Sequence, residues 1–342
     1  MIVLDQQKKK HKIVTSKVFS AIFFIFSIVA LLTLVLHFGM TLKPLNKLAE
    51  NGQIKLNYSD FLKQRTIALA GQWTFFDNRL VEPADIFHSL PDARTMQSTG
   101  GWQLRNHNGN QIYGHGTYHL YVQLESTGLD LAIRIPKIES AYRLYIDSKL
   151  VARGGEVSDS EDTAQPGYQP DIIPLPSGTK NFELTLQVSN YHAAWGGLWE
   201  PIVIGEIEQI YLKERDLVAL SMFVLGALLV TAAFYIIQYS FRPSEQIPLA
   251  FACMCLIFFL REFTVEHMHF MMSFIGLGFT FVMKLNYLTF YLGVPTILFF
   301  MNLCFPHTFQ RKISNFIYVV SGGFSAFVIL APTRIIGDSL LI

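Results

Sequence analysis

The apolar runs limit this chain more than anything else in it. Residues 18–36 are interrupted only by Ser20, Ser27 and Thr33, and crossing the hydrocarbon core of a bilayer takes about 20 mostly apolar residues. Residues 217–239 form a second such run, 247–260 a shorter one that extends through Phe263, and 313–330 another. The stretch 274–305 is long for one span and carries Lys284, Asn286 and Pro295, so it reads as a re-entry region followed by one tilted helix. Charged residues are 15% of the chain, against about 25% in soluble globular domains. The expected layout is an anchor helix at 18–40, helices near 217–239, 247–264, 280–304 and 313–331, and the start of another at 335–342.

Charge orients these segments. Lys8, Lys9, Lys10, Lys12 and Lys17 precede the first run, and positive residues stay on the cytoplasmic side. A cleaved secretory signal would have a shorter apolar core and a small-residue cleavage site, and residues 36–41, Leu-His-Phe-Gly-Met-Thr, offer none. The reading is therefore a cytoplasmic basic N-terminus at 1–17, an uncleaved anchor, and a domain at 41–216 outside the cytoplasm. Arg242, and Arg311 with Lys312, then fall in inner loops. Beyond Arg261, the group Glu262, Glu266, His267 and His269 lies in an outer loop. It reads as the wet end of a helix, because one helix face rarely supplies a whole metal site. Lys284 is expected to snorkel to the interface. The localisation expected is a bacterial inner membrane, multi-pass, with 41–216 periplasmic.

Residues 41–216 contain 16 Lys and Arg against 21 Asp and Glu, near −5, while the remainder is near +6. A mildly acidic domain argues against nucleic acid as a partner. Cys253, Cys255 and Cys304 all lie in apolar runs, so the domain has no disulfide and must stand on a hydrophobic core, for which its length suffices. Period-2 alternation marks strands at 117–124, 129–135, 141–146, 182–188 and 202–204, with a tight turn at 147–150 and a short helix start at 59–64. Many short strands bounded by Gly, Pro, Asp and Ser indicate an all-β sandwich or jelly roll.

The four tryptophans, Trp73, Trp102, Trp195 and Trp199, all fall in this domain. Trp73, between Leu69 and Phe75 at strand spacing, reads as core. The segment Asn190-Tyr-His-Ala-Ala-Trp-Gly-Gly-Leu-Trp199 offers aromatic faces and planar polar groups in a loop after a strand, where binding residues concentrate. Tyr191, His192 and Trp195 are its ligand candidates, with Trp102 and the strand-flanking Arg143 and Arg153 beside them. Plugging the end of the sandwich is the structural alternative for Trp195 and Trp199. A second loop, 154–168, carries Glu156, Asp159, Glu161 and Asp162. It lacks an EF-hand spacing and reads as solvated. No nucleophile elbow or phosphate-binding loop occurs, so no catalytic module and no cofactor are expected.

One series of residues is similar to a known family. Ala70-Gly-Gln-Trp-Thr-Phe-Phe76, Gly101-Trp102, Gly114-x-Gly116-Thr-Tyr118, Leu131-Ala-Ile-Arg-Ile-Pro136, Ser140-Ala-Tyr-Arg-Leu-Tyr145, Leu150-Val-Ala-Arg-Gly-Gly155, Gln187-Val-Ser-Asn190 and Gly196-Gly-Leu-Trp199 resemble the extracellular domain of bacterial seven-transmembrane receptors with diverse intracellular signalling modules. The segment from Lys284 to Leu292, followed by Phe305-Pro306, resembles that family's third bundle helix. The resemblance implies a galactose-binding-like jelly roll followed by an incomplete seven-helix bundle. It also implies an output module, such as a diguanylate cyclase or histidine kinase, that this sequence does not contain. The implied function is a receptor for a small ligand, with carbohydrate the class such folds suggest. The implied partners are that ligand and the lipid bilayer, and a homodimer is left open. The rival reading is a membrane-anchored carbohydrate-binding or glycan-processing accessory protein.

Overall fold

The computed structural model describes residues 45–63, 66–100, 102, 113–125, 128–167, 171–193, 196–264, 275–306 and 309–339. Eleven strands are present among them: β1 (Leu45–Ala49), β2 (Gln53–Leu56), β3 (Thr66–Asp77), β4 (Arg94–Gln97), β5 (Gly114–Leu124), β6 (Leu131–Ile135), β7 (Ala141–Ile146), β8 (Lys149–Gly154), β9 (Asp171–Pro174), β10 (Asn181–Asn190) and β11 (Val203–Glu206). They hydrogen-bond in the order β8-β7-β10-β5-β3-β11-β6-β9, and β1, β2 and β4 join at β3, β5 and β3 respectively. Pairing is antiparallel except where β1 meets β3 and β2 meets β5.

The long strand β3 serves two sheets. Its first half pairs with β1 and β11, and its second half with β4 and β5. The change falls at Gly71, whose φ is +110°, where an added Cβ would sit 2.4 Å from the Ala49 backbone nitrogen. Only glycine tolerates both demands. The two sheets enclose one apolar cluster, with Ile67, Leu131, Ile133 and Ile204 from one side and Leu120, Val122, Leu144, Leu184 and Leu186 from the other. Alternation along each strand puts those residues on one face. Inside sits an aromatic knot: Phe75 lies 4.8 Å from Tyr118 and 6.4 Å from Trp102, ring centre to ring centre, and Trp73 lies 6.4 Å from Tyr118.

The opposite face of the β5–β10 sheet is polar yet buried. Thr117, His119, Thr185, Gln187 and Ser189 all lie there, and the segment after β3, with the short helix α2 (Ile86–Ser89), crosses it. A helical turn α1 (Tyr58–Lys63) precedes β3. Thr117 Oγ1 accepts from the Val81 N–H and donates to the Arg79 carbonyl, and Gln187 Nε2 donates to the Val81 carbonyl. Phe76, Val81 and Ile86 form a small apolar cluster beside these bonds. This second layer has no period-2 signature, so alternation in the strands did not announce it. The β7–β8 turn is also tighter than the sequence indicates. It comprises residues 147–148, with Asp147 at φ +53° and Leu150 already in β8. A bulge at Val151 absorbs the difference, because Leu144 faces Ala152 while Tyr145 faces Leu150.

Four long helices follow: α3 (Ile207–Phe241), α4 (Gln246–Glu262), α5 (Phe279–Cys304) and α6 (Arg311–Leu330), then the short α7 (Thr333–Ser339). Of these, α3, α5 and α6 are long and apolar enough to cross a membrane. The 17 residues of α4 span about 25 Å, short of the ~30 Å hydrocarbon core. Helix α3 starts ten residues before the apolar run at 217, because its first turns pack on the β domain and bury Ile210. Successive helices are neighbours. Tyr235 meets Phe251 at 4.7 Å and Tyr291 stacks on Phe324 at 5.1 Å. Lys284 does not simply snorkel. Its Nζ donates to the Ile329 carbonyl at 2.9 Å, satisfying one of the carbonyls left open at the C-terminus of α6.

Candidate functional site

The structure brings together the two loops that the sequence presents separately. Tyr191 follows directly on β10, and its hydroxyl donates to the Asp159 carbonyl at 2.7 Å while lying 3.1 Å from His115 Nδ1. Burial, and then the carboxylates of Asp159 and Glu161, push the Tyr191 pKa above its usual 10.0. His192 Nε2 lies 3.2 Å from the Ala164 carbonyl, Arg143 Nη2 donates to the Val157 carbonyl at 3.2 Å, and the Ser158 N–H donates to Ser189 Oγ. The acidic loop 155–167 is therefore folded back over the end of β10 and fixed there. Arg153 faces Arg143 in the β7–β8 register and is exposed.

Trp102 lies in the interior, only 1% exposed, with its indole N–H donating to Tyr118 Oη at 2.8 Å. Gly197, at φ +86°, packs so closely on it that a Cβ would come within 2.4 Å of the ring. Asn190 closes the same loop through Nδ2 to the Ala193 carbonyl and Oδ1 from the Ala193 N–H. The Gly-Gly pair thus seats a core tryptophan, so Trp102 presents no face to a ligand outside. Trp195 lies outside the described residues, as do Glu266, His267 and His269.

Among the described residues, three attachments join the β domain to the helices. First, β11 runs into α3 with no linker, Ile207 N–H bonding the Asp130 carbonyl at 2.9 Å. Arg134 on β6 pairs with Glu214 on α3 at 3.0 Å, both largely buried, and Lys213 donates to Thr66 Oγ1 at 2.6 Å. Second, Arg334 at the start of α7 pairs with Glu161 of the acidic loop at 2.6 Å and lies 4.7 Å over the Tyr113 ring. The loop that holds Tyr191 and His192 therefore also touches the last helix.

The third is a cavity of about 290 Å³, lined by Lys137, Glu139, Trp199 and Glu200 from the β domain and by Arg261, Thr264 and Asn286 from the helices. Lys137 Nζ lies 2.6 Å from Glu139 Oε1, both mostly buried. Across the cavity Arg261 Nη1 donates to the Asn286 carbonyl at 3.3 Å and to its Oδ1 at 3.0 Å, with the guanidinium 5.6 Å over the Phe290 ring. Thr264 Oγ1 donates to the Arg261 carbonyl at 2.7 Å. Small-molecule sites favour such concave junctions, with a few convergent polar groups on an aromatic wall. The sequence singled out none of these residues as a site, although Arg261 and Asn286, polar groups at the margins of apolar helices, were the available signal.

No protein-family model and no curated protein matches the chain. Among solved structures it is similar to a beta-glucuronidase of Faecalibacterium prausnitzii, at 16% identity over 41% of this chain and 31% of that one, with a TM-score of 0.31. It is also similar to a glycosyl hydrolase family 2 member of Bacteroides cellulosilyticus, at 14% identity over 41% of this chain and 20% of that one, with a TM-score of 0.32. The chain spans less than a third of either protein, and a likeness of that extent bears on neither activity nor substrate.

Proposed function

We propose that this chain is a membrane receptor whose jelly-roll-like β domain, on the periplasmic side, takes up a small polar ligand at its junction with the helices. The observation that carries this reading is the cavity walled on one side by Lys137, Glu139, Trp199 and Glu200 and on the other by Arg261, Thr264 and Asn286. A ligand there contacts both parts at once, so its affinity depends on how they sit together. Ligand binding shifts such an arrangement by no more than its differential affinity for the two states. The unbroken β11–α3 connection and the Arg134–Glu214 pair give the shift a stiff path, since 35 helical residues extend about 52 Å. The ligand classes to test first are polar metabolites, carbohydrates included.

The test is hydrogen exchange on the full chain in nanodiscs, with and without a metabolite panel. A ligand that slows exchange both at 137–139 and 199–200 and in the first turns of α3 supports the reading. A ligand that protects the β domain alone, leaving α3 unchanged, makes the domain a tethered binding module and ends the receptor proposal.

A further inference from the structure

We propose that the outer face of β7 and β8 holds a second binding site, for a polyol that carries a carboxylate or a phosphate. It goes beyond the receptor reading and does not depend on the junction cavity. Arg143 on β7 faces Arg153 on β8 in the antiparallel register, so both side chains leave the sheet on the same side. Arg143 is half-buried and Arg153 exposed. Like charges directly opposite each other destabilise a sheet, and an adjacent carboxylate is the ordinary remedy. The acidic loop 155–167 follows β8 directly and carries Glu156, Asp159, Glu161 and Asp162. Among the described residues none of these pairs with either arginine: Arg143 Nη2 donates to the Val157 carbonyl, and Glu161 is taken by Arg334. Two guanidinium groups so placed offer N–H donors in planar forks, the geometry that carboxylates and phosphates match.

Acceptors for hydroxyls lie next to the pair. Gln187 on β10 stands opposite Arg143, and Thr185 stands opposite Tyr145. Gln187 Nε2 donates to Glu82 Oε1 at 3.0 Å, and Tyr145 interacts with Glu82 as well as with Arg143. The exposed Glu82 marks the far edge of this strip. Beneath it, Gln187 Oε1 and Thr185 Oγ1 are fully buried and have no hydrogen-bond partner among the described residues. The floor thus keeps a capacity that its own side chains do not fill. The segment 78–93 borders the strip on one side through Val81 and Glu82, and the acidic loop borders it on the other through Val157. Charge therefore changes sign along the strip, from the two arginines to Glu82. An oxyanion alone uses only the arginines and a neutral polyol only the Glu82 end. A molecule with both features engages the whole strip.

The test uses the full chain in phosphatidylcholine nanodiscs, whose lipid carries no net charge. Gluconate, glucose 6-phosphate, glucose, acetate and inorganic phosphate are titrated by calorimetry. Gluconate or glucose 6-phosphate is expected to bind saturably and at least tenfold more tightly than the three simpler probes, and the better of the two names the oxyanion. Arg153→Gln should weaken that binding at least tenfold without lowering the unliganded melting temperature, because it removes one of two opposed like charges. Arg143→Gln should weaken it as much, and Arg143→Lys less. Since Arg143 also holds Val157, Arg153→Gln is the variant that decides. Hydrogen exchange locates the ligand, with slowing expected at 142–153. Slowing at 137–139 and 199–200 instead moves the ligand to the junction cavity, which overturns this site and leaves the receptor reading standing. Three other results overturn it as well: no binding of either hydroxylated oxyanion, a simpler probe that matches them, or wild-type affinity in Arg153→Gln.

Discussion

Inside the β domain Trp73, Trp102, Tyr118, Phe75 and Phe76 are sealed from solvent. Along the helices Phe223, Val230, Phe316 and Val319 face outward, each at least 67% exposed. Small or polar residues are among those the helices bury, Ser221, Ala232, Ala250, Ala252, Cys255, Ser314, Ser321 and Ser325, together with the larger Leu225, Val282, Met283, Leu298 and Val328. Polar contacts cross between helices, Asn302 Nδ2 reaching Ser314 Oγ at 3.2 Å and Tyr318 Oη at 3.3 Å. In water that arrangement exposes far more apolar surface than a soluble chain leaves uncovered. In lipid, large residues gain nothing by leaving the tails, and close approach of small residues holds helices together. The outward apolar faces of the helices thus belong to segments of which three are long and apolar enough to cross a membrane, whereas the β domain turns its large apolar side chains inward.

The sharpest way to break the comparison is to place a charge in each region. Leu120→Asp, at a fully buried core position, should unfold the β domain, since an unpaired buried charge costs several kcal/mol. The milder Phe75→Ala should cost about 3–5 kcal/mol. Loss of the cooperative near-ultraviolet melt reads both. Val230→Arg, at a position 70% exposed in mid-α3, should leave that melt unchanged but reduce membrane insertion by about 2.5–3.5 kcal/mol. Carbonate extraction of expressed protein measures this, and wild-type retention in the membrane would remove the case for lipid around α3.

Two smaller effects sharpen the β side. Trp102→Phe keeps most of the ring volume but leaves Tyr118 Oη without its indole donor, and should cost about 1–3 kcal/mol in chemical denaturation. A loss below a few tenths would place Trp102 outside the aromatic knot's energetics. His119 is depressed below its usual 6.5, first by burial, with the Glu183 carboxylate 3.4 Å away partly opposing that. The unfolded chain then takes up the proton before the fold does. Stability is therefore greatest above pH 6.5 and falls as pH drops from there towards the folded-state value, by at most ~1.4 kcal/mol per pH unit. His119→Gln should flatten that part of the curve, and an unchanged slope would assign it to other groups.

Much of the β domain was legible because alternation is a local property. The strands at 141–146 and 182–188 and the core role of Trp73 follow from the residues beside them. The polar layer under 78–93 was not legible, because Thr117 and Gln187 find their partners in a segment that lacks any period of its own. The candidate loop residues were legible as polar and aromatic, but not their use: Tyr191 and His192 fasten the acidic loop, and Trp102 closes the core.

By itself the sequence determined that this chain has an acidic, strand-rich region bounded by apolar runs, since hydropathy and periodicity are written in neighbouring residues. Only the tertiary structure decided that Lys137, Trp199, Arg261 and Asn286 wall one cavity and that Arg334 reaches Glu161. These groups are far apart along the chain, and nothing local to any of them encodes the others. Their convergence arises from β11 passing without a break into α3, which brings the helix ends up against the β domain.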